Sequence, residues 1–285
     1  MLNKMRVRDI LARATLRLTQ AGVEDARAEA RRLLCWAAGI DLTAIVTLLR
    51  LDDTAQARFE DVIARRARRE PYAYITGSRG FWTQDFLTNE YTLIPRADSE
   101  TLIEALRHHK PQRDRPYRIL DLGTGTGCLL LAALSHYPNA RGVGVDIVPE
   151  ATQLARENAK LNQLERRARF VTSHWGDALT GRYDIILSNP PYIRTGDLAE
   201  LMPEVRYYEP ASALDGGASG LDAYAAILSD LPRLMRRDGI AVLELGKGQD
   251  QEVRHLAAEN GLEMRACYND LNGIARAMIL GLGAY

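Results

Sequence analysis

Along the first 70 residues the apolar positions keep helical spacing. Val7, Ile10, Leu11, Ala14 and Leu18 recur at three- and four-residue steps, and so do Ala30, Leu33, Leu34, Ala37 and Ala38. "AGVED" and "AGIDL" interrupt the pattern, with glycine near the stops and aspartate near the starts. Strand-type alternation does not occur here, so 1–70 is predicted to be a small helical domain. The stretch 71–97, beginning "PYAYITGSRGFW", is rich in Tyr, Phe, Trp, Thr and Ile and is punctuated by Gly77 and Gly80. That composition predicts a β-hairpin linker. A helix is expected from Asp98, with Asp98 or Ser99 as its cap. Beyond it, apolar runs of strand length alternate with helical stretches. The runs are "YRILDLG", "ARGVGVDI", "ARFVTS", "YDIILSN", "GIAVLELG", "LEMRACYN" and "IARAMILGL"; helices are expected at 127–136, 149–162, 219–236 and 250–260. Such alternation predicts an α/β fold over 98–285, doubly wound around a seven-stranded, mostly parallel sheet.

Composition changes this picture little. A chain of 285 residues suits one large and one small domain. Lys+Arg and Asp+Glu both number 37, so no overall field favours nucleic acid or a membrane surface. The first 75 residues lean basic, with 14 Lys/Arg against 10 Asp/Glu and a dense "ARRARRE" at 64–70. That run is either a solvated helix face or a contact surface for something anionic. Cys35, Cys128 and Cys267 are widely separated and form no metal-ligand spacing with each other or with histidine, which suits packed thiols in a reducing compartment. An apolar run of membrane-spanning length is absent, and the N-terminus lacks the apolar core of a signal peptide. The expected location is the cytoplasm, and no metal is expected.

The first candidate chemistry lies in "ILDLGTGTG". Gly123, Gly125 and Gly127 follow an apolar strand and precede the helix "CLLLAAL", so the backbone can approach a ligand closely at a helix N-terminus. Thr124 and Thr126 alternate with the glycines. The dinucleotide fingerprint needs glycine at position 128, where Cys128 stands. Asp121 just before the loop is a poor neighbour for a pyrophosphate and a good one for a cation. S-adenosylmethionine carries both an ammonium and a sulfonium, so the ligand expected here is S-adenosylmethionine. Asp146, closing "GVGVD" nineteen residues after Gly127, can accept both ribose hydroxyls, a logic common to NAD and S-adenosylmethionine sites. Trp175 and Asp177 in "SHWGDAL" occupy the next strand end, where an adenine would lie. The P-loop pattern fails, because Lys247 is followed by glycine and lacks the required upstream glycine.

The second lies in "DIILSNPPYI". Two prolines end the strand, removing two backbone donors and fixing two φ angles. In a doubly wound sheet the first and fourth strands flank the point where chain direction reverses, and ligands bind there. The glycine loop and Asn189-Pro190-Pro191-Tyr192 should therefore meet. Asn189 offers a side-chain carbonyl, and Pro190 a main-chain carbonyl with no N–H from Pro191 beside it. Two fixed acceptors suit a substrate –NH₂ whose lone pair is delocalised, and Tyr192 would give the substrate a flat wall.

With these motifs in place the chain resembles the amino-group methyltransferases that modify DNA adenine, RNA guanine or protein glutamine. Over nearly its whole length it is most similar to the release-factor glutamine methyltransferases (HemK/PrmC type). The likeness includes "REPYAYITGSRGFW", "LIPRADSETLIE", "EPASALDGGASGLDAY", "LELGKGQ" and "NDLNGIAR". One departure is "PRADSE", where that family has Pro-Arg-Pro-Glu-Thr-Glu. The resemblance implies cofactor contacts from Gly123 through Gly127, Asp146, Trp175 and Asn189, and substrate contacts from Asn189, Pro190, Pro191 and Tyr192. It further implies N5-methylation of the glutamine in the GGQ motif of class 1 peptide chain release factors, in the cytoplasm, by a monomer whose helical domain helps hold the protein substrate.

Other readings share parts of this chemistry. A DNA amino-methyltransferase would need a basic, base-reading domain that the balanced charge does not offer. An RNA guanine methyltransferase shares the loop chemistry and stays open on the loop alone. A binding scaffold without catalysis would not need an intact Asn-Pro-Pro-Tyr, and an NAD-dependent oxidoreductase is disfavoured by Cys128 and Asp121.

Overall fold

A computed structural model describes residues 6–283. The chain divides into two compact units: everything up to Gly77 together with Met202–Tyr208, and Ser78–Leu201 together with the chain from Glu209 onward. In order, α1 (Val7–Gln20), α2 (Ala26–Ala38), α3 (Asp53–Ala67) and α4 (Tyr72–Thr76) form the first unit. The second begins with a hairpin, β1 (Ser78–Phe81) and β2 (Gln84–Leu87), followed by α5 (Glu100–His109), β3 (Arg118–Leu122), α6 (Cys128–His136) and β4 (Arg141–Asp146). Then come α7 (Pro149–Leu161), β5 (Ala168–Thr172) and β6 (Tyr183–Ser188). The chain next supplies α8 (Pro203–Tyr208) to the first unit and returns for α9 (Asp222–Leu234), β7 (Met235–Glu244), α10 (Asp250–Glu259), β8 (Leu262–Asn269) and β9 (Ala275–Leu282).

In the first unit the apolar stripes of the helices meet as their spacing predicts: Ile10, Ala14 and Leu18 of α1 lie in one core with Leu33 and Leu34 of α2 and Phe59 and Ile63 of α3. Asp52 caps α3 by accepting the Ala55 amide at 2.7 Å, worth about 1 kcal/mol. Most of the "ARRARRE" run is held in ion pairs, while Arg68 remains exposed. Arg65 pairs with Glu70 through two hydrogen bonds. Arg66, 5% exposed, donates to Glu29 at 2.5 Å and to Glu204 of α8 at 2.8 Å. Arg69 meets both Glu204 oxygens at 2.6 Å, so this carboxylate joins two guanidinium groups. Burial pushes the Glu204 pKa up, but the hydrogen bonds from Arg69 and Arg66 hold it below the ordinary glutamate value.

The expected hairpin linker over 71–97 proves narrower. Pro71 leads into a helical turn over Tyr72–Thr76, ended by Gly77 at φ +77°, and this turn belongs to the first unit. Only Ser78–Leu87 pairs as a hairpin, with Phe81 and Phe86 in the core of the second unit. The aromatic residues mark burial here, which a short helix uses as readily as a strand. Asp98 and Ser99 do not cap α5 with their side chains; they lie in a tight 3₁₀ turn, Ala97–Ser99, that runs into it.

The sheet of the second unit has the expected seven strands, in the order β5-β4-β3-β6-β7-β9-β8. All neighbours pair in parallel except β9, which runs against both β7 and β8. Helices α5, α6 and α7 contribute to one core and α9 and α10 to the other, covering both faces. Burial on both faces explains why "YDIILS" reads as an unbroken run: every residue of β6 is buried. One expectation shifts at the far side. Helix 219–236 ends at Leu234, because Met235 pairs with Tyr183 as the start of β7.

Candidate active site

The two loops expected to meet do so. Leu122, the last residue of β3, lies opposite Ser188, the last of β6, and the Ser188 hydroxyl donates to the Leu122 carbonyl at 2.7 Å. The glycine loop and Asn189 therefore leave the sheet side by side, at the switch point. They open onto a cavity of about 290 Å³ bordered by Gly123, Thr124, Gly125, Thr126, Asp146, Trp175, Asn189 and Pro191. Gly123 is required by its φ of +72°, and it lies beside Trp175, whose ring would be 3.4 Å from an added Cβ. Trp175 is itself held at φ +38°, which turns its ring toward the loop. Gly127, at φ +83°, does not border the cavity; a Cβ there would press on Ala155 of α7 at 3.2 Å, so this glycine serves the packing of α6.

Asp121 is placed differently from the expectation. It is fully buried beneath the loop and away from the cavity, where its Oδ2 accepts the Thr124 hydroxyl at 2.6 Å. Burial lifts its pKa to about 7, against the pull of Thr124 and of the Leu130 amide. Asp121 thus braces the loop from below, and Oδ1 completes no hydrogen bond of sound geometry. Asp146 does border the cavity. Its oxygens accept the Gly125 amide at 2.8 Å and the Val148 amide at 3.0 Å, which fixes the carboxylate and leaves a lone pair on each oxygen. Burial raises its pKa, while those amides lower it.

Asn189 borders the cavity with its amide already half committed: Nδ2 donates to Ser99 Oγ at 3.2 Å. Pro191 stands beside it. Pro190 is buried and off the cavity surface. Tyr192 is not the open wall that was expected. Its hydroxyl donates to Glu244 Oε1 at 3.3 Å and its half-buried ring packs against the core shared by α9 and α10, because the buried carboxylate draws the phenol inward. Burial is also the main reason its pKa rises, with Glu244 adding to it. Asp177 is exposed beside His174 and takes no part in the lining.

Several residues at the site lie in stretches that carried the resemblance but had been given no role. Arg96 and Ser99, from the segment read as linker and helix start, border the cavity, as do Ser212 and Ala213 from a short turn after α8. Arg96 is held by Glu209, whose other oxygen accepts the Ile94 amide at 3.1 Å. Asn158 of α7, fully buried, donates to the Thr126 carbonyl at 2.9 Å and exchanges two hydrogen bonds with Leu87, tying the glycine loop to the hairpin. Its signal was present: an asparagine at the i+3 and i+4 positions from Ala155 and Leu154 falls on the apolar stripe. Among the described residues no group of three or more His, Cys, Asp and Glu could hold a metal ion, and no helix is long and apolar enough to cross a membrane.

A sheet of six parallel strands and one reversed strand, with a glycine loop and an Asn-Pro-Pro-Tyr turn at its switch point, defines a class I methyltransferase. A solved methyltransferase from Pyrococcus furiosus shares the fold, with a TM-score of 0.54 at 18% identity over 78% of this chain and 99% of that one. Residues 9–77 match the family model of the PrmC N-terminal domain, and residues 97–204 that of the methyltransferase small domain. The release factor glutamine methyltransferase of Rhodospirillum rubrum is 43% identical over 95% of this chain and 83% of its own length. That of Cereibacter sphaeroides is 41% identical over 98% of this chain and 100% of its own. The chain belongs to the release factor glutamine methyltransferase family.

Proposed function

We propose that this chain transfers a methyl group from S-adenosylmethionine to the side-chain amide nitrogen of the glutamine in the GGQ motif of peptide chain release factors, in the cytoplasm. The observation that carries the reading is the Asn189 amide, which borders the same cavity as Gly123 and Asp146 with one Nδ2 hydrogen on Ser99 and Oδ1 left as an acceptor. The residues fit the cofactor. An added Cβ at Gly125 would meet nothing within 4 Å, so the loop leaves backbone open to a ligand. Asp146 has lone pairs to spare for a pair of ribose hydroxyls, and the Trp175 ring lies against Gly123 as a surface for an adenine. Asp121 acts through the loop it braces.

When bound, S-adenosylmethionine supplies an electrophilic methyl group on a sulfonium. Everything else falls to the chain. An amide nitrogen is a poor nucleophile because its lone pair is delocalised. Asn189 Oδ1, at the cavity, accepts one of its two N–H bonds. Pro190 is buried just behind the lining, so its carbonyl can take the other only from the turn's inner edge, and together they would hold the nitrogen so that the lone pair can leave conjugation. Pro190 suits this task because the following proline has no N–H to compete and the φ angles are fixed. Positioning of this kind is worth on the order of 7–11 kcal/mol in the best intramolecular cases. The methylated nitrogen is cationic and far more acidic than the amide, so its proton can pass to water without a side-chain base. Tyr192, turned inward, stiffens the turn that carries both acceptors. The helical unit is read as the part that grips the release factor, a view supported by exposed Val46 and Leu49 along a groove with Arg27 and Arg31.

The test is transfer of labelled methyl from S-adenosylmethionine to purified release factor. Label should appear on the wild-type factor and vanish when the GGQ glutamine is replaced. Label on RNA or DNA with none on the release factor would overturn the reading.

A further inference from the structure

Behind Asn189 lies a chain of hydrogen bonds that no motif of the site accounts for. Ser99 and Glu244 are 2% and 1% exposed. The Ser99 hydroxyl donates to Glu244 Oε2 at 2.5 Å and accepts from Asn189 Nδ2 at 3.2 Å. Glu244 Oε1 accepts the Tyr192 hydroxyl at 3.3 Å. Glu244 ends β7 and Asn189 follows β6, two neighbouring strands, while Ser99 reaches both from the turn before α5.

We propose that Ser99 and Glu244 are positioning residues for methyl transfer, which together fix the direction of the Asn189 amide so that Oδ1, and not Nδ2, meets the substrate nitrogen. This rests on reading Asn189 as an acceptor for the substrate amide. The argument is one of donor counting. An amide side chain is nearly symmetric in shape, and a serine alone does not orient it, because a hydroxyl can either donate to Oδ1 or accept from Nδ2. An ionised carboxylate accepts only. It claims the single Ser99 proton, leaving Ser99 Oγ with lone pairs toward Asn189, and only the NH₂ end of the amide can face lone pairs. The other end must then turn to the cavity. A reversed amide would present two donors to a substrate that also presents two donors, and the pair would repel.

The same logic gives the device a pH limb. The groups facing Glu244 are Ser99 and Asp98 from the turn before α5, Arg276 from β9 and Tyr192 from the turn after β6, with Cys128 of α6 and Tyr224 of α9, both neutral, nearby. Arg276 is itself occupied by Asp270 and the Leu245 carbonyl. Burial raises the Glu244 pKa to about 7, against the pull of Ser99, Arg276 and Tyr192 and with a push from Asp98. Once protonated, Glu244 can donate to Ser99, the Ser99 proton is free to swing to Asn189, and the reversed amide becomes allowed. The ratio kcat/KM, which reports the free enzyme, should therefore fall as pH drops through about 7.

The experiment compares wild type with Ser99→Ala, Ser99→Thr, Glu244→Gln and Asn189→Ala in the full chain. It measures kcat and KM for release factor between about pH 5.5 and 8.5, a range spanning the raised carboxylate, and S-adenosylhomocysteine affinity by calorimetry. It also measures hydrogen exchange at the Asn189 side-chain amide by NMR. Ser99→Ala and Glu244→Gln are each expected to lower kcat roughly 10- to 100-fold, the scale of one misdirected buried hydrogen bond, with KM and cofactor affinity unmoved. Ser99→Thr, which keeps the hydroxyl, should recover most of what Ser99→Ala loses. Ser99→Ala should also lose the low-pH limb and the slow exchange of the Asn189 amide. Wild-type kcat or wild-type amide protection in Ser99→Ala would overturn the proposal, and because that change removes one buried oxygen, misfolding does not mask it. If Asn189→Ala abolishes turnover while Ser99→Ala leaves it intact, the orientation device fails and the acceptor reading stands. If Asn189→Ala itself retains turnover, the acceptor reading fails and this proposal with it.

Discussion

Replacing Glu204 with alanine should weaken the helical unit far more than the loss of one surface charge would. Glu204 is 7% exposed and receives three short hydrogen bonds from Arg66 and Arg69. Its removal strands part of two guanidinium groups. Breaking a buried pair by deleting one partner costs about 3–5 kcal/mol. Here Arg66 keeps Glu29, and Arg69, whose side chain is 20% exposed, keeps the Ala21 and Gly22 carbonyls, which places the loss near the lower figure, about 3 kcal/mol. The assay is urea unfolding followed at Trp36, which lies in α2, with Trp82 and Trp175 replaced by phenylalanine to silence the other unit. A loss of that size lowers the midpoint by at least about 1 M urea. The pH dependence has a fixed sign. The folded pKa of Glu204 lies below its ordinary value, so the stabilisation is complete above the unfolded value of about 4.3 and is lost as pH falls through the folded one. Wild type and Glu204→Ala should therefore converge in acid. A midpoint shift equal to that of Asp9→Ala, which breaks an exposed pair with Arg8, would refute the claim that this cluster is structural.

Three further outcomes follow from the site and the thiols. Asp146→Ala removes both the acceptor at the cavity and the brace on the Gly125 amide, so calorimetric affinity for S-adenosylhomocysteine should fall by roughly 10-fold or more, the scale of a charged hydrogen bond. Gly123→Val forces a β-branched residue to φ +72° beside Trp175 and should reduce cofactor binding with little change in the far-UV circular dichroism spectrum; unchanged binding would count against the loop as the cofactor site. Cys267, the exposed thiol, should be alkylated first at pH 8. Cys128, half-buried at the cavity with its pKa pushed up to about 12, should react more slowly, and buried Cys35 should stay unmodified until the chain unfolds, as mass spectrometry of timed samples would show.

How far the sequence discloses such a site depends on the range of the interaction. The Gly-Thr-Gly-Thr-Gly loop and Asn-Pro-Pro-Tyr are local: their backbone demands are written in consecutive residues, and parallel strand topology brings them together. The apolar runs of β3 and β6 were legible for the same reason, since burial on both faces leaves only Asp121 and Asp184 as polar residues within them. Glu204 had no such mark. Its partners lie 135 and 138 residues upstream, and nothing in "MPEVRYY" distinguishes a core glutamate from a surface one. Tyr192 misled because an aromatic ring beside a site suits a substrate wall, while the carboxylate that turns it inward ends a strand 52 residues later. Asp121 misled in a related way. Its charge was read as facing a ligand, yet a strand residue alternates faces, and its own face carries it under the loop to Thr124.

The return of residues 202–208 to the helical unit sets an order of events at the ribosome. The first unit is the earliest part of the chain to emerge, yet it cannot finish its own ion cluster when its helices are complete. At about 5–20 residues per second, Arg66 and Arg69 wait roughly 7–28 s for Glu204 to be synthesised. By the time it is made, β3, β4, β5 and β6 have all been synthesised. The N-terminal unit is thus begun first and closed late, with most of the parallel sheet made in between.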